Sequence, residues 1–326
     1  MSDTPTTAPR IGVLVNRRSG RNRAGLGELR ALIERSPEVM ARETTGRAEA
    51  AAALREMDAA GVEALAVAGG DGTLHNVFHL LFNEGARRTP PPIAVLPGGT
   101  TNMIGYDIGA ARKPAKELKR LLARLRAGEL AAGMVRRRLI ALRTGPDAVP
   151  AYGLFGGAAG VYQGTMLSRK SVNKVGLRDA AGPLAGLLGL VGPLLLGRNP
   201  VDPASAIVTH DGVVEDRRDY IAIAVSTMER LIMGLTPFWG EGPGALRLTT
   251  VAARPKRFSR AILPALNGRR TPDLTPENGY RSVNADSITL DMEGGFVLDG
   301  EIFPLRAGRP LLLDAGPVVE FVVGGK

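Results

Sequence analysis

The sequence predicts two domains: a doubly wound α/β domain followed by a β-rich domain. With 326 residues and 44% apolar side chains, the chain can bury a sizeable core, and its length favours two domains of ordinary size. In the first third, continuous apolar runs alternate with helical segments, which is typical of a parallel sheet covered on both faces. From residue 134 onward, short strand-like runs are separated by turn residues, which indicates antiparallel pairing.

The first domain is expected to span residues 9–133, after a flexible tail at residues 1–8. Its predicted strands lie at 11–16, 39–43, 64–68 and 93–96, and its predicted helices at 24–35, 47–60, 74–84 and 113–127. Ligands of such folds bind outside the carboxyl ends of the strands. Asn16, Gly69 and Pro97 stand at such ends, so the sequence predicts a binding site there.

The second domain is predicted to be an antiparallel, sandwich-like region at residues 134–309. Its strand-like runs lie at 138–142, 206–208, 220–225, 247–251 and 287–292, with few helices between them. The last segment, residues 310–326, either completes this domain or returns to the first one. The sequence leaves both possibilities open.

One uncharged segment, residues 180–197, interrupts the β-rich region. It contains two prolines and five glycines, which disfavour a regular membrane-spanning helix. It is therefore either a helical lid over an apolar cavity that touches the bilayer or a buried core helix. The basic cluster at residues 169–178 directly precedes it and favours the first alternative, because anionic lipid attracts such clusters.

The net charge of +10 and the pI near 10.3 indicate an acidic partner. Aromatic residues make up only 4% of the chain, and the basic clusters at 136–138, 169–178 and 254–260 have almost none beside them. Proteins that bind single-stranded nucleic acid stack bases on aromatic side chains. We therefore expect an anionic membrane surface as partner and no nucleic acid, with solvated basic faces as the alternative.

Cysteine is absent, which excludes disulfide bonds and thiolate metal sites. The first ten residues are polar and run straight into a predicted strand, so no signal peptide is visible. The expected location is the cytoplasm, at the periphery of the membrane. The sequence contains no indication of the oligomeric state.

The most informative motif is Gly69-Gly70-Asp71-Gly72-Thr73, between a predicted strand and the helix predicted from residue 74. Glycines at such a place let the chain approach a ligand closely, and the helix N-terminus attracts anions. This pattern predicts a phosphate site. Asp71 would repel phosphate by itself, but it fits if a divalent cation or its water shell lies between the two.

Three further polar motifs accompany this loop. A donor-rich turn contains Asn16 and Ser19, a second glycine loop spans residues 96–102, and Asp299-Gly300-Glu301 forms a turn between two apolar runs. Each has an ordinary structural explanation when taken alone. Together, two glycine loops at strand ends of one sheet converge on one crevice and suit a polyphosphate such as that of ATP.

These motifs, in this order, resemble the diacylglycerol kinase catalytic family. The family comprises lipid kinases and includes sphingosine kinases, ceramide kinases and bacterial diacylglycerol kinases. The Gly-Gly-Asp-Gly element is shared with NAD kinases and phosphofructokinases, whereas the second loop and the late Asp-Gly-Glu point to the lipid branch. The resemblance spans nearly the whole chain and implies an NAD kinase/diacylglycerol kinase-like fold for the first domain.

The resemblance implies a kinase that uses ATP and Mg²⁺ to phosphorylate a hydroxyl of a diacylglycerol-like or sphingoid lipid in a cleft between the two domains. It implies Asp299 as the general base and Glu301 as its electrostatic neighbour. The implied nucleotide-binding residues are Asn16, Ser19, Gly69, Gly70, Asp71, Gly72, Thr73, Asn76, Gly98, Gly99, Thr100 and Asn102. Asp71 is also an implied metal ligand.

The chain departs from the family pattern at two positions. Arg17 replaces the usual proline after Asn16, and Met103 replaces the acidic residue that usually follows Asn102. The second change weakens the expected metal network. Asp107, four residues further on, is a candidate replacement ligand if the helix continues, with a helix-surface or capping role as the alternative.

Two other functions remain open from the sequence. The departure at Met103 is compatible with a nucleotide- and lipid-binding protein of the same fold that has no turnover. The shared Gly-Gly-Asp-Gly element is compatible with a soluble-substrate kinase of the NAD kinase type, in which residues 180–197 would be plain core.

Overall fold

The computed structural model describes residues 10–19, 22–99, 101–175 and 201–324. The chain divides into two compact units, a first unit of Met1–Arg137 with Val318–Lys326 and a second unit of Arg138–Pro317. The predicted tail at 1–8, Thr100 and the apolar segment at 180–197 lie outside the described residues.

Strands and helices alternate in the first unit, as predicted. The strands are β1 (Ile11–Asn16), β2 (Val39–Thr44), β3 (Ala64–Gly69) and β4 (Ile93–Pro97), and the helices are α1 (Asn22–Glu34), α2 (Arg47–Ala59), α3 (Asp71–Phe82), α4 (Met103–Ile108) and α5 (Pro114–Ala127). The strand order is β4-β3-β1-β2, all parallel, and the last strand of the chain, β16 (Leu311–Val322), adds to β4 through Phe321.

Helices cover both faces of this parallel sheet. Ile11 and Val13 of β1 face one way and pack with Leu29 of α1 and the leucines of α5. Gly12 faces the other way, where an added Cβ would lie 2.6 Å from the Met57 sulfur of α2. The continuous apolar strands are therefore buried from both sides, and the predicted doubly wound α/β class is confirmed.

Helix α3 begins three residues earlier than the sequence predicts, at Asp71 instead of residue 74. Gly70 is its N-cap, with an extended backbone (φ −95°, ψ −177°). Gly69 therefore ends β3, Gly70 alone lies between the strand and the helix, and Asp71, Gly72 and Thr73 belong to the first helical turn.

The second unit is mainly β-structure. Its strands are β5 (Met134–Arg143), which enters it from the first unit, β6 (Ala151–Gly153), β7 (Phe155–Ala159), β8 (Ala204–His210), β9 (Val213–Val214), β10 (Arg218–Ser226), β11 (Leu246–Ala252), β12 (Tyr280–Ala285), β13 (Ser287–Met292), β14 (Gly294–Leu298), β15 (Glu301–Leu305) and the first part of β16. Among the described residues, two α-helices accompany them, α6 (Gly160–Val175) and α7 (Phe258–Leu266).

These strands pair antiparallel in the order β15-β14-β7-β10-β8-β13-β16, and β11 and β12 branch from β10. Their inward side chains, such as Val208, Ile223 and Leu290, form a continuous apolar core. The predicted antiparallel, β-rich region is confirmed.

The sequence prediction missed strands β6, β7, β9 and β12 and helices α6 and α7. Four of the five residues in the run Phe155–Ala159 are glycine or alanine, a composition that does not suggest a strand. Glycine is needed there because a Cβ on Gly157 would lie 2.5 Å from the Ile223 carbonyl oxygen of the neighbouring β10. Pro264 inside α7 obscured that helix. None of the described helices has the length and apolarity to cross a membrane.

Candidate active site

The two glycine loops of the first unit are in direct backbone contact. The Gly98 N–H donates to the Gly69 carbonyl at 2.8 Å. A Cβ on Gly99 would lie 2.5 Å from the Gly70 Cα, and a Cβ on Gly70 would lie 3.0 Å from the Gly99 Cα. Because backbone atoms cannot move aside as a flexible side chain can, this approach requires glycine at both positions.

Asn102 holds the second loop in shape. Its Oδ1 accepts the Gly99 N–H at 2.8 Å, and its Nδ2 donates to the Gly99 carbonyl at 2.6 Å. The backbone of Asn102 is left-handed (φ 49°, ψ 45°), a conformation that asparagine tolerates better than most residues. The side chain thus closes the turn that precedes α4.

The turn after β1 is joined to both loops. The Asn16 Nδ2 donates to the Thr73 Oγ1 at 2.9 Å, and the Ser19 Oγ donates to the Gly98 carbonyl at 2.8 Å. These are the carboxyl ends of three neighbouring strands of one parallel sheet. The structure therefore brings together the three predicted motifs of the first unit.

Asp71 connects α3 to α4. Its two carboxylate oxygens accept the N–H groups of Met103, at 3.1 Å, and Ile104, at 3.2 Å. Burial of the carboxyl raises the pKa of Asp71 above its ordinary value, while the N–H groups of Met103 and Ile104 oppose that rise. Asp71 thus caps the helix that begins at Met103, a role that the sequence did not suggest.

The N-terminus of α3 has the features of an anion site. Its N-cap residue, Gly70, has no side chain to cap it, which favours a ligand at the positive end of the helix. Outside its chain neighbours and the backbone of its own helix, a Cβ on Gly72 would meet no atom of the described residues within 4 Å. Asn76, one turn further along α3, is exposed to solvent.

Asp107 forms a buried ion pair with Arg137. The Arg137 Nε donates to the Asp107 Oδ2 at 2.7 Å, and the two side chains are only 9% and 1% exposed, respectively. The helix-surface alternative for Asp107 is therefore wrong. That Asp107 binds a metal ion stays a prediction, and its carboxylate already has Arg137 as a cationic partner.

In the second unit, Asp299 and Gly300 form the tight turn between β14 and β15, both with positive φ (45° and 89°). This is the predicted Asp-Gly hairpin geometry. The Asp299 side chain turns back to β7, where its oxygens accept the N–H groups of Leu154 at 2.9 Å and Phe155 at 3.0 Å. Glu301, the first residue of β15, is exposed.

The described residues contain no group of three or more His, Asp or Glu that could hold a metal ion. Mg²⁺ needs no such group, because it commonly keeps several waters and binds to substrate phosphates with one or two carboxylates. Of the two acids predicted as metal ligands, Asp71 is the one that directly follows Gly70 of the first glycine loop. Each of its carboxylate oxygens accepts one backbone N–H, from Met103 or from Ile104.

The basic residues at 136–138, interpreted from the sequence as a surface for an acidic partner, have partners within the protein, and the acidic partner itself stays a prediction. Arg136 pairs with Glu320 at 2.8 Å, Arg137 pairs with Asp107, and Arg138 donates to the Gly316 carbonyl at 2.9 Å. The sequence prediction also missed the backbone groups that hold Asp71 and Asp299, because backbone N–H groups leave no sequence signal.

Comparisons with known proteins agree with this architecture. Residues 10–132 match the family model of the diacylglycerol kinase catalytic domain. A Bacillus anthracis protein assigned as a diacylglycerol kinase is 17% identical, with a TM-score of 0.66, over 99% of this chain and 98% of that chain. A second diacylglycerol kinase structure from the same organism is 15% identical, with a TM-score of 0.60, over 98% of each chain.

At these identities the similarity to solved structures establishes the fold alone. No curated protein matches the chain. The family match, in contrast, covers the motifs at residues 16–19, 69–73 and 98–102. Residues 10–132 are therefore similar to the diacylglycerol kinase catalytic domain, and this match supports a phosphotransferase of the kinase type.

Proposed function

We propose that the protein is an ATP-dependent lipid kinase that transfers the γ-phosphoryl group to a hydroxyl of a diacylglycerol-like or sphingoid lipid. The observation that carries this proposal is the glycine at position 72. It lies in the first turn of an uncapped helix, beside two loops that are fixed by backbone contact.

Packing within the protein explains Gly70 and Gly99, but it does not explain Gly72. A side chain at position 72 would meet open space, and the helical backbone there needs no glycine. Glycine in a helix costs about 1 kcal/mol relative to alanine. A ligand that approaches the backbone at the N-terminus of α3 would explain why position 72 is glycine. A phosphate suits such a place, because the N–H groups of a helix N-terminus have no partner within the helix.

Mg²⁺ is proposed to accompany ATP, with Asp71 as its nearby protein carboxylate. When bound, the cation would neutralise charge on the phosphates. The chain's own contribution is a rigid frame: Asn16, Ser19 and Asn102 hold the two loops so that their backbone donors need no rearrangement on binding.

Asp299 is proposed as the general base, which would accept the proton of the lipid hydroxyl as it attacks. The N–H groups of Leu154 and Phe155 hold the carboxylate of Asp299, which is a buried residue, at the start of β7. Such fixed orientation is what a positioned base requires. Glu301 would contribute negative charge beside it.

Transfer of labelled phosphate from ATP to purified lipids tests the proposal. We expect a phosphorylated lipid product, and we expect Asp299→Asn to lower its rate at least a hundredfold with nucleotide affinity unchanged. ATP binding without product from any diacylglycerol or sphingoid lipid would indicate a binding protein without turnover. Product only with NAD would indicate a kinase of the NAD kinase type.

A pair of glycine variants tests the nucleotide site separately. Gly72→Ala is expected to weaken ATP binding at least tenfold while the melting temperature stays equal or rises, because alanine favours the helix. Gly27→Ala in α1, where a Cβ also meets nothing within 4 Å, is the matched control and should leave ATP affinity unchanged. Unchanged ATP affinity in Gly72→Ala would contradict the proposed site.

A further inference from the structure

Residues 254–270 of the second unit form a strongly basic segment that includes α7. They contain six basic residues and no acidic ones. All six are exposed: Arg254, Lys256, Arg257, Arg260, Arg269 and Arg270. We call this segment, together with the adjoining turn at residues 231–235, the α7 surface.

Two of the six basic residues have acidic partners. Arg257 pairs with Asp273 at 2.7 Å, and Arg270 pairs with Glu241 at 2.8 Å. For the other four, no ion pair is found within the described part of the chain. The α7 surface therefore has an excess of positive charge that the protein does not neutralise locally.

Helix α7 lies on this unit as an amphipathic element. Ala261 and Ala265 pack into a small core with Trp239 and Tyr280. The opposite face, with Arg260 and Leu263 one turn apart, is exposed, and Leu263 is 64% exposed. A large apolar side chain thus stands among basic ones on the outer face.

A second apolar side chain is exposed on the neighbouring turn. Met233 is 57% exposed, and its backbone adopts a positive φ of 61°, which is uncommon for a residue other than glycine. The Thr236 N–H that follows this turn donates to the Leu266 carbonyl at the end of α7 at 3.0 Å. The turn and the helix are therefore joined at this end.

We infer that the α7 surface docks the protein on anionic lipid bilayers. A bilayer interface can bind both the basic and the apolar side chains of this surface. Anionic headgroups attract Lys and Arg, while Leu and Met enter the boundary of the acyl chains. Nucleic acid would use the basic groups but not the exposed Leu263 and Met233. The inference rests on the proposed function in that a lipid substrate resides in the bilayer, but docking itself requires no catalysis.

Flotation with vesicles that contain no kinase substrate tests the inference. The probes are vesicles of phosphatidylcholine with phosphatidylglycerol, and vesicles of phosphatidylcholine alone. We expect binding to the anionic vesicles only, weakened about fivefold for each basic side chain removed from the surface and thus about 25-fold in Lys256→Gln/Arg260→Gln. Leu263→Ser should weaken binding further at high salt, where the electrostatic contribution is screened.

Arg35→Gln/Arg55→Gln is the matched control, since it removes the same charge from exposed positions of the first unit. The inference is wrong if the control loses as much affinity as the α7 double variant, or if the α7 variant binds anionic vesicles like the wild type. It is equally wrong if the double variant loses binding to a DNA duplex and keeps binding to vesicles.

A water-soluble short-chain lipid separates this test from that of the proposed function. Lys256→Gln/Arg260→Gln should phosphorylate it at the wild-type rate, because these residues take no part in transfer. If the α7 double variant loses binding to anionic vesicles as expected but the wild type phosphorylates no lipid, the proposed function fails and the docking surface stands. If the wild type phosphorylates a lipid but the α7 double variant binds anionic vesicles as tightly as the wild type, only the docking surface fails.

Discussion

The Asp107–Arg137 ion pair allows a test of what holds the second glycine loop in place. Asp107 lies in α4, the helix that Asp71 caps, and Arg137 lies in β5. Removing one partner leaves the other charge buried without this ion pair, which typically costs 3–5 kcal/mol. For a unit of this size, we expect Arg137→Met to lower the melting temperature by roughly 6–20 °C.

The double variant Asp107→Leu/Arg137→Met should recover most of that loss, because buried ion pairs can be replaced by packed apolar side chains at little net cost. Thermal unfolding of the wild type, both single variants and the double variant forms a double-mutant cycle. We expect a coupling energy of at least about 2 kcal/mol between the two positions.

The same cycle decides whether Asp107 binds metal. If its role is to pair with Arg137, the double variant should keep the wild-type dependence of phosphate transfer on Mg²⁺ concentration. A double variant that is stable but requires at least tenfold more Mg²⁺ would show that Asp107 is a ligand, and the structural explanation would then be refuted. A coupling energy near zero would refute the importance of the ion pair itself.

Three further predictions follow from single contacts. Gly99→Ala should raise the KM for ATP and lower stability by about 1–3 kcal/mol, since its Cβ would overlap the Gly70 Cα; an unchanged KM would contradict the close contact of the loops. Glu117→Ala should cost about 2–4 kcal/mol in urea unfolding, because this fully buried side chain accepts two backbone N–H groups, each at 2.7 Å; a cost below 1 kcal/mol would contradict it. Backbone hydrogen bonds, above all the one from Ser287, lower the pKa of Asp211. The stabilisation that the ionised Asp211 gives the folded protein is therefore present above about pH 4 and is lost below it. The difference in urea midpoint between wild type and Asp211→Ala should accordingly shrink from pH 7 to pH 3.

Periodicity and turn chemistry were sufficient to predict most of the first unit. Its strands are buried on both faces and therefore appear as uninterrupted apolar runs, and β1 was predicted to the residue. The start of α3 was misplaced because Gly72 and Thr73 are poor helix formers, and the uncapped N-terminus offered no signal residue. In the second unit, β7 was missed since its side chains are too small to show alternation.

The candidate site was predictable in its residues but not in their contacts. Motif order identified Asn16, Asp71, Gly99 and Asp299, and the structure brings the first three together at the carboxyl ends of one parallel sheet. The pairing of Asp107 with Arg137 was not predictable, because it joins residues 30 positions apart and Arg137 stands in a run of three arginines. Contacts of this kind depend on where β5 lies beside α4, which local sequence does not encode.

Asp71 illustrates why a motif residue can have two explanations at once. From the sequence, an acid among phosphate-binding glycines requires a cation to balance it. In the structure, two backbone N–H groups of α4 already stabilise the carboxylate, so the acid would be retained even without a metal. Loss of activity in an Asp71 variant would therefore not prove metal binding, because the second loop would lose its attachment to α3. Mg²⁺ dependence has to be tested at positions that leave this cap intact, and the Asp107–Arg137 cycle satisfies that condition.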